Sequence, residues 1–251
     1  MTGVDIGHGF RALEFGPVTS TNDIARSLAD DGEPAGLFVC AETQTAGRGR
    51  HGRSWQSPAG NLHATLILRP GRPMAEIATL SLVMALGLAQ AVEALSGGAV
   101  RPRLKWPNDV LIDGAKLSGI LLEGASDGRG GCQWLIVGIG VNVAASPGEA
   151  VPYPTTNLVA AGLPTVTPML LLAAMATALR PLLDRWEAAG FAGLRPDWQE
   201  RAAGVGSVVE MRLGERAVRG RMLEIDETGA IRLETASGAV ERFTAGEVVL
   251  G

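Results

Sequence analysis

Cysteine is nearly absent: Cys40 and Cys132 are the only two in 251 residues, and neither belongs to a CxxC pair. That excludes a disulfide framework and a cysteine-built zinc site, and both thiols are expected to be ordinary buried side chains. Positive charge is also scarce, with 22 lysines and arginines against 26 aspartates and glutamates and a formal net charge of -4. General nucleic-acid binding brings a basic face, so no nucleic-acid partner is expected. Long hydrophobic runs are missing as well. The longest apolar tract, Met169 to Leu179, falls short of the roughly 18 residues that span a bilayer and reads as a core helix. Asp5, His8, Arg11 and Glu14 interrupt the N-terminus, which shows no export leader. No membrane association is expected, and the expected location is the cytoplasm.

At 46% hydrophobic, the chain is long enough for one good core and a small satellite domain. Arg11 to Val18 alternates like a short edge strand. Thr19 to Asp23 then reads as a helix start with hydroxyl caps, which is the plain structural reading of Ser20 and Thr21. Apolar runs at 37–41 and 62–68 predict strands, and 76–95 predicts one long buried helix stopped by Ser96-Gly97-Gly98. Residues 104–123 read as strand, Asp113-Gly114 hairpin, strand, and 134–143 as a further strand containing Gly138 and Gly140. A Pro/Thr/Ser-rich loop at 146–168 precedes helices at 169–188 and 191–201. After Ala203, short strands at 208–213, 218–226, 230–235 and 240–244 indicate a small β-barrel, so the domains are placed at 1–203 and 204–251.

The segment from Gln44 to Trp55, QTAGRGRHGRSW, lies between two of these strands. Its glycines allow close backbone approach, and Arg48, Arg50 and Arg53 supply permanently charged planar donors suited to phosphate. It matches neither GxxxxGK[ST] nor GxGxxG, so the P-loop and dinucleotide-binding readings do not apply. Taken alone, it reads equally well as a solvated RG-rich loop that binds RNA or nothing.

Together with Ser20-Thr21-Asn22, Lys105-Trp106-Pro107-Asn108-Asp109, Lys116 to Gly119 and Gly138 to Asn142, the loop resembles the ordered motifs of the biotin protein ligases: STN, GRGRxGRxW, KWPND, KxxGIL and GxGxN. The resemblance implies an α/β (α+β) catalytic domain of the class II aminoacyl-tRNA-synthetase-like type, with a mixed sheet and flanking helices, followed by an SH3-like β-barrel. It implies formation of biotinyl-5'-AMP from biotin and MgATP, then transfer of biotin to a lysine of a biotin carboxyl carrier domain of acetyl-CoA carboxylase or another biotin-dependent carboxylase. Lys116 and Arg50 would be the catalytic residues. Biotin would be held by Ser20, Thr21, Asn22, Gln44, Gly47, Arg48, Arg50, Lys116, Gly119 and Gly138. ATP would be held by Arg50, Arg53, Trp55, Asn108, Lys116 and Asn142, and Mg²⁺ by Asp109; Trp55 also reads as a core tryptophan. His51 stands at the variable loop position and is given no role. With STN starting at Ser20, the winged helix-turn-helix that makes some members repressors is expected to be absent. A homodimer is left open. The nearest rival is a lipoate or octanoate ligase or transferase of the same fold, which generally lacks the full GRGRxGRxW and KWPND set.

Overall fold

The computed structural model describes residues 3–148 and 151–250. Eight strands build one mixed sheet: β1 (Val4–Gly7), β2 (Phe10–Val18), β3 (Leu37–Gln44), β4 (Leu62–Leu68), β5 (Arg103–Lys105), β6 (Asp109–Ile112), β7 (Ala115–Ser126) and β8 (Cys132–Val141). Their spatial order is β1-β2-β3-β4-β8-β7-β6-β5. Only β2 and β3 run parallel. A parallel pair needs a crossover, and α1 (Thr21–Asp30) provides it. The Asp113-Gly114 hairpin forms as expected, with φ of 49° and 79° at its two turn residues.

Several expectations are corrected. Arg11–Val18 is not an edge strand, because β1, too short to show an alternating pattern, pairs outside it. The long helix is broken into α2 (Met74–Ile77) and α3 (Leu80–Leu95). At the break, the buried Thr79 hydroxyl donates to Glu76 O (2.6 Å) and accepts from Trp186 Nε1 (2.8 Å), a local side-chain alternative to the helix ladder. Met169–Leu179 is also not the stretch nearest to a membrane span. Met74–Leu95 is long and apolar enough by length and composition, but most of it is buried inside this fold. It lies against α4 (Pro168–Ala189), which Thr167 caps through Leu170 N and Pro168 opens. The α3–α4 approach is close enough that a Cβ on Gly87 would stand 2.4 Å from Leu179.

Alternation along the strands sends Phe38, Leu66 and Val137 into the large core with α3 and α4. Val39, Ile67 and Ile136 face Ala25 and Ala29 of α1 instead. A 3-10 turn (Phe191–Gly193) and α5 (Arg195–Arg201) replace the single helix expected at 191–201.

The chain then forms β9 (Val208–Leu213), β10 (Arg216–Ile225), β11 (Ile231–Thr235), β12 (Val240–Phe243) and β13 (Glu247–Leu250). These make a five-stranded antiparallel sheet in the order β12-β11-β10-β9-β13, corresponding to the expected barrel with one strand added. Among the bonds that hold it to the preceding residues, Trp106 Nε1 donates to Gly229 O (2.9 Å), and Arg195 Nε on α5 donates to Ile225 O (2.7 Å).

The β10–β11 turn is organised by Asp226, whose Oδ1 accepts from Thr228 N and Ala230 N while Oδ2 accepts from Arg242 Nε. Burial alone would raise this carboxyl, but the bonds from Thr228, Arg242 and the backbone outweigh it and hold the pKa at about 2. A depressed folded value stabilises the fold above the unfolded carboxylate range near pH 4, and that contribution is lost as pH falls through about 2. Asp226→Asn should therefore lower stability by about 1 kcal/mol at pH 7. Urea midpoints of wild type and variant should converge towards pH 2; an undiminished gap there would contradict this account.

Candidate active site

The cleft opens over the centre of the large sheet, between the N-terminus of α1, the Gly/Arg loop, residues 105–109 and β13. Ser20 is the N-cap residue of α1, yet its side chain makes no cap bond. Ser20 instead lines the cleft, while its carbonyl accepts from Ile24 N. Next to it is a polar knot. Gln44 Oε1 accepts from Thr21 N (2.8 Å) and Thr21 Oγ1 (3.1 Å), and Gln44 Nε2 donates to Ser57 Oγ (2.9 Å). Thr65 Oγ1 lies 2.8 Å from Thr21 Oγ1 and 2.7 Å from Asn22 Oδ1, and Asn22 Nδ2 donates to Glu123 (2.6 Å). These bonds preset where the remaining polar atoms point.

The loop forms a narrow hairpin instead of an open coil. Trp55 N donates to Gly47 O (2.9 Å), Gly49 N donates to Arg53 O (2.7 Å), and His51 and Gly52 turn the tip at φ of 55° and 72°. Its arginines are held in three different ways. Arg48 is bidentate to Asp23 (2.6 and 3.1 Å), and that bond pulls the Asp23 pKa down. Arg53 is bidentate to Glu247 (2.7 and 3.2 Å), across to β13, and holds that carboxyl below its usual range. Arg50 bonds only to neutral oxygens, Asn108 Oδ1 (3.1 Å) and Gly246 O (3.4 Å), and makes no ion pair among the described residues. Burial pushes its pKa down, opposed by Asp109 and Glu247; a guanidinium stays charged regardless.

Lys116 Nζ lies 2.8 Å from Asp109 Oδ1 as an ion pair, without the alignment of a hydrogen bond, and Lys105 Nζ lies 3.6 Å from Oδ2. Around this wall Arg50, Arg53, Lys105 and Lys116 carry four positive charges, and Asp109 and Glu247 carry two negative ones. Two positive charges are left uncompensated in a partly buried cleft. Such a site calls for an anion.

The glycines behave differently from expectation. A Cβ on Gly47 would strike Trp55 O at 2.5 Å, so its bareness serves the return leg of its own loop, and Gly47 does not line the cleft. At Gly138 the space is taken by the Asn22 side chain (2.5 Å). Gly119 borders Lys116 Nζ and Trp55 at 3.3 and 3.4 Å. Trp55 packs against Gly140, whose Cβ would sit 2.4 Å from the indole, and the buried indole N–H has no partner among the described residues.

Asn142 is also outside the cleft. It is 2% exposed, and its amide donates to Thr156 O (3.0 Å), tying the 151–158 segment to β7 and β8. Asn108 lines the cleft, but its amide links Arg50 to Ile120 O (2.8 Å). Sequence reasoning left out Lys105, Tyr153 and Glu247, which all line the cleft. Lys105 was legible within its motif. Tyr153 and Glu247 had no local signal, since Glu247 is 194 positions from Arg53.

A basic, partly buried cleft over a mixed sheet, with an antiparallel sheet closing one side, is the arrangement of the class II synthetase-like fold. The profile of the Biotin/lipoate A/B protein ligase family matches residues 15–142, and that of the Biotin protein ligase C terminal domain matches 205–251. A biotin--[acetyl-CoA-carboxylase] ligase of Paracoccus denitrificans is 40% identical over 92% of this chain and 97% of its own length. One of Mycobacterium tuberculosis is 34% identical over 98% and 91%. Among solved structures, a biotin protein ligase of Aquifex aeolicus in complex with biotin and ATP superposes with a TM-score of 0.80, at 27% identity, over 95% of this chain and 97% of that one. The chain belongs to the biotin protein ligase family.

Proposed function

We propose that this chain is an ATP-dependent biotin protein ligase, acting on a lysine of a biotin carboxyl carrier domain of acetyl-CoA carboxylase or a related carboxylase. In the first step a biotin carboxylate oxygen attacks the α-phosphorus of ATP, the bond to the β-phosphate breaks and pyrophosphate leaves. In the second the carrier amine attacks the acyl carbon, the bond to AMP breaks, and an amide remains. The observation that carries this reading is Arg50: a half-buried guanidinium with no carboxylate partner among the described residues, in a cleft with uncompensated positive charge. Bringing a carboxylate onto a triphosphate requires that kind of preset field.

In this reading biotin's ring end lies at Ser20, Thr21, Asn22, Gln44 and Gly138, with Arg48 strapping the loop to α1 over it. The carboxylate then points to Lys116 and Arg50, and the nucleotide meets Arg50, Arg53, Trp55 and Asn108. Asn142 acts at one remove, through the segment it holds. Mg²⁺, when bound, supplies charge neutralisation on the phosphates. Asp109 fits it as a single carboxylate contact, because nucleotide-bound Mg²⁺ takes most of its ligands from phosphates and water, and the buried Oδ1 has no aligned donor. No self-sufficient cluster of metal-binding side chains occurs among the described residues.

We place the functional division at Ala203, whose N–H donates to Leu104 O (2.8 Å), with catalysis in 1–203 and a closing wall in 204–251. We place the protein in the cytoplasm, with ATP, and assign it no membrane or nucleic-acid partner, in keeping with the net charge of -4.

Biotin-dependent exchange of labelled pyrophosphate into ATP tests this. Biotin should support exchange, and lipoate and octanoate should not; the opposite pattern moves the protein to the lipoate branch.

A further inference from the structure

Lys116 is held on more sides than its ion pair. Its Nζ lies 5.4 Å from the ring centre of Tyr153 and 5.8 Å from that of Trp55, with Asp109 Oδ1 at 2.8 Å and bare Gly119 below. Tyr153 is the only tyrosine in the chain, and its hydroxyl makes no hydrogen bond among the described residues. Its segment also grips the Lys116 backbone. Lys116 N donates to Pro154 O (2.8 Å), and Thr156 N donates to Lys116 O (3.0 Å), a single parallel bridge beside β7. One short strap therefore fixes both ends of a side chain that otherwise has four rotatable bonds.

We propose that Tyr153 is a positioning residue for Lys116: its ring face confines the ammonium to the place where the carboxylate and α-phosphate meet. This rests on the ligase reading above. The physical requirement is specific. When substrate anions enter, Lys116 must leave Asp109 without swinging into solvent, and a ring face attracts a cation from any direction across it whereas a hydrogen bond fixes one. The contact is with the π-face, so the hydroxyl is dispensable and the ring is not. Trp55 does not duplicate this role, because its indole is packed on Gly140 and it belongs to the loop, not to the strap that grips the Lys116 backbone.

The test compares Tyr153→Phe and Tyr153→Leu in the full chain by pyrophosphate exchange, with kcat and KM for biotin read separately. Phe should retain most of the rate. Leu should lower kcat about tenfold, the factor a partly desolvated cation–π contact represents, with little change in KM for biotin. In a Lys116→Ala background the same Leu substitution should have no further effect, since the partner it positions is gone. A Phe variant as slow as Leu, or a Leu effect that persists without Lys116, overturns the assignment and leaves the ligase reading intact. A wild-type protein inactive with biotin overturns both.

Discussion

Lys116→Ala is expected to lower biotin-dependent adenylate formation by about 10² to 10³, the loss that follows removal of one preorganised electrostatic donor. The magnitude follows from where the ammonium sits. It is largely buried, paired with Asp109 at 2.8 Å, and flanked by two aromatic rings, so it is already desolvated and oriented before substrate arrives. Charge on the carboxylate and α-phosphate redistributes most in the transition state, so a contact made there weighs on kcat more than on binding. Biotin affinity should fall much less, because the proposed place for the ring end of the ligand is the Thr21–Gln44 knot, which Lys116 does not touch. Nor should folding be lost: Asp109 keeps Lys105 at 3.6 Å as a counter-charge. Pyrophosphate exchange gives the first quantity and calorimetric biotin titration the second. Adenylation within a few-fold of wild type would remove Lys116 from the mechanism.

Arg50→Gly should fail in a different way. Its guanidinium joins the loop tip to Asn108 and to Gly246 O on the C-terminal sheet, so it closes the cleft as well as charging it. Lys116, Lys105 and Arg53 remain to support formation of the adenylate, but the seam over the product opens. A bond to an ionised group of this kind represents about 1.5–3 kcal/mol, so escape should become about 10- to 100-fold faster. The released mixed anhydride acylates exposed lysines without selection. Biotin on serum albumin, incubated with variant or wild type at equal adenylate formation, reads this directly. No rise in albumin labelling while adenylate is still made would mean that Arg50 does not retain it.

Some of this was available from the chain in one dimension. Strands at 37–44, 62–68 and 132–141 follow from apolar, β-type runs, and the Asp113-Gly114 turn from backbone chemistry intrinsic to two adjacent residues. The motif spacings named the family, the arginine loop and Lys116, because close approach to phosphate demands glycine and fixed positive charge whatever surrounds them. Residue type and neighbour order are local properties, and the amino-acid sequence determined them on its own.

Tertiary structure decided how each of those groups is used. Arg48 and Arg53 look alike along the chain, yet one is neutralised by Asp23 on α1 and the other by Glu247 on β13, while Arg50 between them meets only neutral oxygens. Gly47 and Asn142 carry motif positions but make scaffold contacts, and Tyr153, with no motif at all, faces Lys116. The reason is that ion pairing, desolvation and cation–π attraction depend on separation in space, which decays over a few ångströms. Strand order β4-β8-β7 brings together residues tens to hundreds of positions apart, and no periodicity along the chain encodes that proximity.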